Sequence, residues 1–473
     1  MAHSRRDFLR NTACALGGVA LASTVESLGL VSAYAQAQAA SDYRALVCIF
    51  MSGGNDCNNT VVDINQFTSY SNVRGASGLS LAQSSLIPIS PPSGSYGLHP
   101  GLSPEVGTPG AAKGLLDVWT AGKLAVVANV GPLVEPLTRT TYQNGTGKKP
   151  LQLFSHSDQV GLWQSSIANN ASQTGWGGRA ADKTAALNGS ATFPQIITIA
   201  GISLFVTGSN ARPLAIADSN TPLANVLPLN NPSGFTSAQN TARRAAFDSL
   251  RSLDLGFTLV KASSDTRSSA LQTQAALASV SPTIGTVFPN TSIARQLLQV
   301  ARVIKASTDP NAGINMRRQI FFVTLGGFDT HSGQINGQGG LLTQLSQAMK
   351  AFYDATVELG VQNGVTTFTL SDFGRTFSPS GSGAGVVGSD HGWGSHHFVM
   401  GGSVLGGKFY GKYPTLALGG PDDTDTRGRW IPTISVDQYA ATLASWYGLS
   451  SSDFPAVFPL LENFSPNNLG FLG

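Results

Sequence analysis

Charge and cysteine are both scarce in this sequence. Charged residues make up 12% of its 473 residues, about half of the roughly 25% that is usual for soluble domains. The 29 basic and 26 acidic residues leave a net charge of +3, and the basic residues form no run that would attract nucleic acid or an anionic membrane surface. Three cysteines are too few for a disulfide framework. The composition therefore argues against a nucleic-acid-binding protein and excludes a small disulfide-rich one.

Long apolar runs are also missing after the N-terminus. No such run reaches the roughly 20 residues that a membrane-spanning helix needs. Glycine, in contrast, is abundant at 54 residues, and 41% of the residues are hydrophobic. A chain of this length and apolar content can bury a sizeable core, and it suffices for one large α/β domain or for two ordinary domains.

The N-terminal segment has the pattern of an export signal. Residues 4–10 read SRRDFLR, a mildly apolar stretch follows from about 13 to 30, and small residues suited to cleavage lie at 33–37. This pattern predicts a twin-arginine signal over residues 1–37. We therefore expect a protein that is exported in the folded state to the periplasm or the medium, with a mature domain at 38–473 and no membrane span.

The mature chain has the pattern of a parallel α/β sheet. Apolar runs of strand length end at glycine or polar residues, as is typical of strands buried on both faces, and they cover residues 45–51, 124–130, 320–325 and 367–370. Between the last two runs, apolar residues recur near a 3.6-residue period and predict a crossover helix. Strand, helix and strand in this order predict a largely parallel sheet between helices. A helical insertion is expected at about 236–307.

Histidine and aspartate form the most informative motifs. Asp329 and His331 follow the end of a predicted strand, where both side chains can point to the same side of the loop. A second motif contains one aspartate and three histidines, namely Asp390, His391, His396 and His397. Carboxylate and imidazole groups at such spacing suit a Zn²⁺, Mn²⁺ or Fe ion. The alternative is a structural hydrogen bond for the first motif and a packing or surface role for the second.

Three further loops carry candidate functional groups. Asp56 lies in a Gly- and Asn-rich loop after the first strand, where open α/β sheets bind ligands, although an Asn/Asp turn explains this loop as well. Asp372 and Arg375 follow another strand, and Arg375 suits a phosphate or sulfate group or an ion pair with Asp372. Ser155 lies beside His156, and because neighbouring side chains diverge, a metal-activated serine is a better interpretation than a catalytic triad.

Six segments, together with the twin-arginine start, are specific enough to indicate a family. They read GGND at 53–56, LHPGL at 98–102, GGFDTH at 326–331, SDFGRT at 371–376, DHGWGSHH at 390–397 and RWIPT at 429–433. In this combination they resemble the exported bacterial proteins grouped as domain of unknown function 1501, over nearly the whole mature chain. That family in turn resembles, more distantly, the alkaline phosphatase and sulfatase superfamily. The resemblance implies a largely parallel sheet with metals bound at the strand ends.

The resemblance also implies roles for single residues. It implies metal ligands among Asp56, Asp329, His331, Asp372, His391, His396 and His397. Ser155 resembles the nucleophile at the metals, and Arg375 would steady the oxygens of the transferring group. Phe373 stands where the superfamily has a second ligand, and Asp390 with His391 is the alternative source of that pair.

The expected function is that of an exported, metal-dependent hydrolase or transferase. It would act on phosphate or sulfate esters of small molecules or glycans, with a divalent Zn, Mn, Fe or Ca ion that activates a serine or a water. The alternative is a non-catalytic binding or assembly protein of the cell envelope on the same fold. A weakly charged surface rich in Gly and Ser is compatible with that alternative.

Overall fold

The computed structural model describes residues 42–104, 114–226, 236–278, 283–312, 314–383 and 385–473. The export signal predicted over residues 1–37 lies outside these ranges and stays a prediction. Within them, no helix combines the length and the apolar character needed to cross a membrane.

The strands of the described residues form one large sheet and two small ones. The large sheet contains β1 Arg44–Met51, β5 Leu124–Gly131, β6 Ile196–Thr198, β7 Leu214–Ala215, β8 Arg318–Leu325, β9 Val365–Ser371, β12 Ser395–Gly401, β13 Lys408–Tyr410 and β14 Ile434–Ser435. The small sheets contain β2 Val61–Asp63, β3 Ile87–Ile89 and β4 Tyr96–Leu98, and β10 Arg375–Ser380 and β11 Gly388–His391.

The large sheet is parallel except at one strand. Its order is β13-β5-β12-β9-β1-β8-β6-β7, and β14 also pairs with β5. Strand β12 runs antiparallel to both neighbours, while the other pairings among the described strands of this sheet are parallel. At its centre, Val47 of β1 pairs with Phe321 of β8 and Thr367 of β9. The prediction of an α/β fold with a largely parallel sheet is confirmed, whereas the antiparallel β12 is not evident from the sequence.

Helices connect these strands and cover the sheet. Their bounds in the described residues are α1 Cys57–Thr60, α2 Phe67–Arg74, α3 Leu115–Thr120, α4 Arg139–Gln143, α5 His156–Ser165, α6 Trp176–Thr184, α7 Ser237–Arg251, α8 Thr258–Ala278, α9 Ser292–Thr308, α10 Gln334–Glu358, α11 Val436–Tyr447 and α12 Phe454–Val457. The crossover helix predicted between two of the apolar runs is α10, which joins β8 to β9.

Strand β1 is buried on both faces, which explains its unbroken apolar sequence. Leu46 and Phe50 pack in a core with Trp176 of α6 and Tyr439 of α11. Val47 points to the opposite face, because side chains alternate along a strand, and it is equally inaccessible. Burial of an apolar side chain of this size contributes about 1.5–3 kcal/mol. The strand therefore gives a rigid base to the loop that follows it.

The helical segment predicted at about 236–307 divides into two parts. Helix α9 places Leu297, Val300 and Ile304 on one buried stripe and packs against β8 and α10. It therefore belongs to the layer that covers the sheet. Helix α7 and most of α8 are exposed instead, and the helical insertion stays a prediction.

The neighbouring strands β9, β1 and β8 bring three loops to one edge of the sheet. Because these strands are parallel, their carboxyl ends meet there, and the loops begin at Ser52, Gly326 and Asp372. The hairpin of β10 and β11 follows the last of these loops and pairs Arg375 with His391. The carboxyl edge of a parallel sheet is where open α/β proteins bind ligands, and the candidate site lies here.

Candidate metal centre

Two histidines and an aspartate converge at this edge. Asp329 lies on the loop after β8, His391 ends β11, and His156 is the first residue of α5. One ligand atom from each residue lies within 4.8 Å of the other two, an arrangement that could hold a metal ion. These three residues form the His-Asp cluster.

The spacing within the His-Asp cluster matches that of ligands around one ion. The Oδ1 atom of Asp329 lies 3.4 Å from Nε2 of His156 and 3.6 Å from Nε2 of His391. Zinc binds nitrogen and oxygen ligands at about 2.0–2.2 Å, and two ligands at that distance and a tetrahedral angle are about 3.4 Å apart. Asp329 is therefore at ligand spacing from each of the two imidazoles.

Hydrogen bonds on the outer ring nitrogens fix how both imidazoles face the cluster. The Nδ1 atom of His156 lies 2.7 Å from Oδ2 of Asp372, and Nδ1 of His391 lies 2.7 Å from the backbone oxygen of Phe154. Both oxygens are acceptors, so each Nδ1 carries the proton and donates it. In its neutral form, each ring then has a free lone pair on Nε2, and this is the form that binds a metal.

The inner nitrogen of His156 has no hydrogen bond among the described residues. Its Nε2 atom is buried and unpaired there, although it faces Asp329 at 3.4 Å. Buried polar atoms in proteins nearly always have a partner, so an exception asks for an explanation. A cation shared with Asp329 and His391 would satisfy this nitrogen, and the residues present therefore fit a metal ion.

A third imidazole lies at the open side of the cluster. The Nε2 atom of His331 is 2.9 Å from Nε2 of His391 and 3.0 Å from Oδ1 of Asp329, and its Nδ1 is 3.2 Å from Oδ1 of Asp390. The side chains of His331 and Asp329 are 45% and 49% exposed, compared with 23% for His391. Solvent or a substrate can therefore reach the cluster from the side of His331.

Burial and nearby charges set the protonation states of two members of the cluster, Asp329 and His391. Burial raises the pKa of Asp329, but the hydrogen bond and the charge of Arg375, with two histidines nearby, bring that pKa below its usual value. Burial lowers the pKa of His391, and positive groups around it act in the same direction against its hydrogen bond to a backbone oxygen. At neutral pH, Asp329 is therefore ionised and His391 is neutral.

An aromatic ring forms an apolar wall beside the two imidazoles. The ring centroid of Phe373 lies 4.7 Å from those of His156 and His391. Gly54 makes room for this ring, because a Cβ at that position would lie 2.5 Å from it, and the φ of +84° also favours glycine. Where the family resemblance leads one to expect a second ligand, the chain has a ring that packs against the imidazoles.

Arg375 supports Asp329 and is closed to a substrate. Its side chain is fully buried, and Nη1 donates to Oδ1 of Asp329 at 2.8 Å and to the backbone oxygen of Gly53 at 3.1 Å. The Nη2 atom donates to the backbone oxygen of Ser389. The ion pair therefore forms with Asp329 and not with Asp372, which accepts the backbone N–H of Gly53.

Asp56 lies in a buried ion pair behind the cluster. Its two oxygens accept hydrogen bonds from Arg74 at 2.6 and 3.1 Å, and neither side chain is exposed. Gln334 donates to the same carboxylate and accepts a hydrogen bond from Ser389, whose backbone oxygen holds Arg375. Asp56 thus stiffens the frame around Arg375, and the structure places it outside the His-Asp cluster.

The structure also places His396 and His397 away from the cluster, on β12. Both are buried, and their rings have different neighbours: that of His396 lies 4.8 Å from the ring of Tyr413, and that of His397 lies 5.9 Å from the ring of Tyr439. The Nδ1 atom of His396 accepts the backbone N–H of Asn129 at 3.0 Å, and the ring of His397 packs 4.7 Å from that of Trp163. Burial lowers their pKa to about 4 and about 3, so both are neutral core residues.

His156 is the member of the cluster that the sequence reasoning does not select. The sequence favours the adjacent Ser155 as a nucleophile, but in the structure the Ser155 hydroxyl donates to Oδ2 of Asp158 at 2.6 Å, on the first turn of α5. The available signal is that His156 is one of only seven histidines and lies in a polar motif. Its distance in sequence from the other ligands hides the connection.

The eight residues that the sequence proposes as metal ligands therefore fall into two groups. Five lie at the site, either in the cluster or in contact with one of its imidazoles or with His331: Asp329, His331, Asp372, Asp390 and His391. Three lie elsewhere: Asp56, His396 and His397.

The fold and the site define an α/β protein with a candidate metal centre at the carboxyl edge of its parallel sheet. Residues 43–424 match the model of a family described as protein of unknown function (DUF1501). Because this match covers most of the chain, the protein belongs to the DUF1501 family, as the sequence motifs predict. No curated protein matches the chain.

Three solved structures are similar to the chain at a low level. Ps i-CgsB in complex with k-i-k-neocarrahexaose is 9% identical, with a TM-score of 0.31 over 88% of this chain and 76% of that chain. The PsFucS1 sulfatase from Pseudoalteromonas sp. is 9% identical, with a TM-score of 0.30 over 88% and 72%. A TAB5 alkaline phosphatase mutant with Mg bound in the M3 site is 10% identical, with a TM-score of 0.24 over 88% and 97%. Such TM-scores support no conclusion about the function of this chain.

Proposed function

We propose that this protein is a metal-dependent hydrolase or transferase of phosphate or sulfate esters, and that His156, Asp329 and His391 hold its divalent ion. The observation that supports this most is the orientation of the two imidazoles. The Nδ1 atom of each lies within hydrogen-bond distance of an acceptor oxygen, and the Nε2 atom of each faces the same carboxylate oxygen. Outer hydrogen bonds of this kind are usual at metal-binding histidines.

The donor set narrows the choice of ion. Two imidazole nitrogens and one carboxylate oxygen suit zinc, manganese or iron. Calcium, which the sequence leaves open, fits less well because it prefers six to eight oxygen ligands. A divalent ion bound here would supply Lewis acidity. A single coordinating carboxylate would leave net positive charge at the site, which favours an anionic ester as the substrate.

His331 is suited to proton transfer at the open side of the site. Asp390 holds its Nδ1, and its Nε2 faces Asp329 and His391. The inner nitrogen can therefore accept or release a proton while the outer one stays fixed. Nearly half of the side chain is exposed, so it can exchange that proton with solvent. We assign to His331 proton transfer with the attacking water or with the leaving group of the ester.

Water is a better nucleophile than Ser155 in this arrangement. The Ser155 hydroxyl already donates to Asp158, and it would have to give up this hydrogen bond before it could attack an ester. Water needs no such rearrangement, because the cluster is open on the side of His331. We therefore assign hydrolysis by water as the main reaction.

Export by the twin-arginine route would agree with a metal centre that is filled before the protein leaves the cytoplasm. The sequence supports this route through the paired arginines Arg5 and Arg6. We expect the double variant Arg5→Lys and Arg6→Lys to stay in the cytoplasm, while the parent is found in the periplasm or the medium. Cell fractionation with immunodetection measures this difference.

The metal centre is tested by metal content. We would determine the metal in purified parent protein and in the variants Asp329→Asn and His391→Gln by inductively coupled plasma mass spectrometry. Asp265→Asn is the control, because its exposed carboxylate pairs with Lys261 on α8. The expected result is about one Zn, Mn or Fe ion per chain in the parent and the control, and loss of that ion in both cluster variants.

Hydrolysis of 4-nitrophenyl phosphate and 4-nitrophenyl sulfate then tests the reaction. A parent without metal would contradict the proposal, and metal retained in both cluster variants would show that the ion is bound elsewhere. A full complement of metal without hydrolysis of either ester would favour a binding or assembly protein of the cell envelope.

A further inference from the structure

The loop between β13 and β14 is held in one conformation by a single buried carboxylate, that of Asp423. Residues 419–430 form this segment, the Asp423 loop. Asp423 is fully buried, and its two oxygens accept the backbone N–H groups of Gly419 and Gly428 at 2.9 Å, of Arg429 at 3.1 Å and of Asp425 at 3.2 Å. Four such bonds to one carboxylate fix the loop from the inside.

The first side chain that the Asp423 loop extends toward the metal centre is Arg429. Its Nε donates to the backbone oxygen of His391 at 3.1 Å. Its guanidinium also lies 4.1 Å above the ring centroid of Phe154. Phe154 provides the backbone oxygen that accepts Nδ1–H of His391. Arg429 thus contacts both His391 and the residue that orients its imidazole.

The second side chain is Arg427. Its Nη2 donates to Oδ2 of Asp390. The other oxygen of Asp390, Oδ1, lies 3.2 Å from Nδ1 of His331. Arg427 is 41% exposed, so replacing it leaves no large cavity in the core. It therefore fixes the carboxylate that in turn orients His331.

We propose that the Asp423 loop positions the metal centre, with Arg429 acting on His391 and Arg427 acting on His331 through Asp390. This inference rests on the proposed function, because it requires the His-Asp cluster to bind a metal. Residues that hydrogen-bond to metal ligands commonly affect metal affinity 10- to 100-fold without touching the ion. Arg429 is a positioning residue of this kind, and Arg427 positions His331 beside the cluster through Asp390.

Metal affinity and the absorption spectrum of bound Co²⁺ test this inference without a known substrate. Full-length protein is stripped of metal and titrated with Zn²⁺ against a chromophoric chelator, and then with Co²⁺ alone. We expect Arg429→Gln to weaken Zn²⁺ binding about 10- to 100-fold. Arg429→Lys should recover part of that loss, because lysine can still donate to the backbone oxygen of His391. Arg427→Gln should change the Co²⁺ spectrum with a smaller loss of affinity.

Two matched controls separate positioning from general stability. Arg295→Gln removes a partly exposed arginine of α9 that pairs with Asp218. Asp182→Asn removes a carboxylate that accepts three backbone N–H groups of a different loop, at 209–211. We expect both controls to keep the Zn²⁺ affinity and the Co²⁺ spectrum of the parent, even where the melting temperature falls.

The outcomes distinguish this inference from the proposed function. A parent that binds neither Zn²⁺ nor Co²⁺ would overturn both. A parent that binds Zn²⁺, with Arg427→Gln and Arg429→Gln variants that match it in affinity and spectrum, would overturn only the role of the loop. Loss of affinity in Arg295→Gln equal to that in Arg429→Gln would also overturn it, because the effect would then not be specific to the loop.

Discussion

His391 and the pair His396 and His397 lie within seven residues of each other, yet their surroundings are opposite. His391 ends a hairpin strand, is partly exposed, and turns Nε2 toward Asp329. His396 and His397 are buried in the sheet, where burial lowers their pKa to about 4 and about 3. The same residue type in one motif thus serves a candidate metal centre at one position and the core at the next.

The change of surroundings has a structural cause in the glycines between these histidines. The backbone N–H of Gly392 donates to the oxygen of Gly374 at 2.7 Å, and that of Gly394 donates to the oxygen of Trp430 at 2.9 Å. A Cβ on Gly394 would lie 2.0 Å from Oδ1 of Asn129, so only glycine fits there. The chain therefore passes from the edge of the sheet into its interior within three residues.

The largest effect that we expect concerns Asp56, which belongs with the buried residues in this comparison. Asp56→Ala leaves the charge of Arg74 buried without its partner, because neither side chain is exposed. Breaking such a pair costs about 3–5 kcal/mol. We expect urea unfolding to show a loss of this size, while the protein that remains folded keeps its metal.

The matched variant for this prediction is Asp329→Ala. Asp329 is half-exposed but pairs with the buried Arg375, so its loss should also cost some stability and, in contrast to that of Asp56, should remove the metal. If Asp56→Ala removed the metal with little loss of stability, this expectation would be wrong, because Asp56 would then act as a ligand.

The next largest effect separates His391 from His397 directly. His391→Gln removes one of three ligands, and we expect a loss of Zn²⁺ affinity of about 100-fold or more, equivalent to about 2.7 kcal/mol. His397→Gln should keep that affinity and lower the free energy of unfolding by about 1–3 kcal/mol, because its ring packs against Trp163 in the core. Chelator competition and urea unfolding measure the two effects. Equal metal loss in both variants would contradict the separation.

The free energy of unfolding should fall in acid because His396 and His397 are buried in their neutral form. In the folded state, burial lowers the pKa of His396 and His397 from 6.5 to about 4 and about 3, so the unfolded chain binds more protons between these values. Their contribution to stability is complete above pH 6.5 and falls with pH, by about 1.4 kcal/mol per pH unit for each ring.

Urea unfolding of metal-free protein from pH 7.5 to 4.5 measures this slope. Removing the metal first excludes the separate loss of binding that follows when the cluster is protonated. We expect His397→Gln to lower the slope of the unfolding free energy against pH by the contribution of one ring, about 1.4 kcal/mol per pH unit. An unchanged slope would show that His397 is not neutral in the core.

The sequence predicts the fold well because strand burial leaves a local signature. The runs at 45–51, 320–325 and 367–370 consist of apolar residues and threonines without a charge, and they coincide with the three central parallel strands. Strand β12 is harder to predict, since it begins with a serine and two histidines and its direction depends on pairing with β5 and β9. The pattern of residues along one strand does not show which strands it pairs with.

The same limit explains which part of the candidate site could be predicted. Asp329 lies beside a predicted strand end, where ligand binding is expected, and His391 lies in a motif with three histidines and an aspartate. His156 reaches the site because packing places the start of α5 near these ends, and no spacing in the sequence shows this. Arg375 looks like a residue for binding an anion until the structure shows it buried against Asp329.

The smallest effect that we expect concerns Ser155, and it tests whether the open site works with water. Because the Ser155 hydroxyl donates to Asp158 and not toward the cluster, Ser155→Ala should keep the metal and change ester hydrolysis by only about two- to threefold, a difference of about 0.4–0.7 kcal/mol. Steady-state kinetics on an aryl ester measures this, with Ser157→Ala on the same helical turn as the control. A loss of about 100-fold or more in Ser155→Ala alone would show that the serine leaves Asp158 to attack the ester, and that the cluster activates a side chain instead of water.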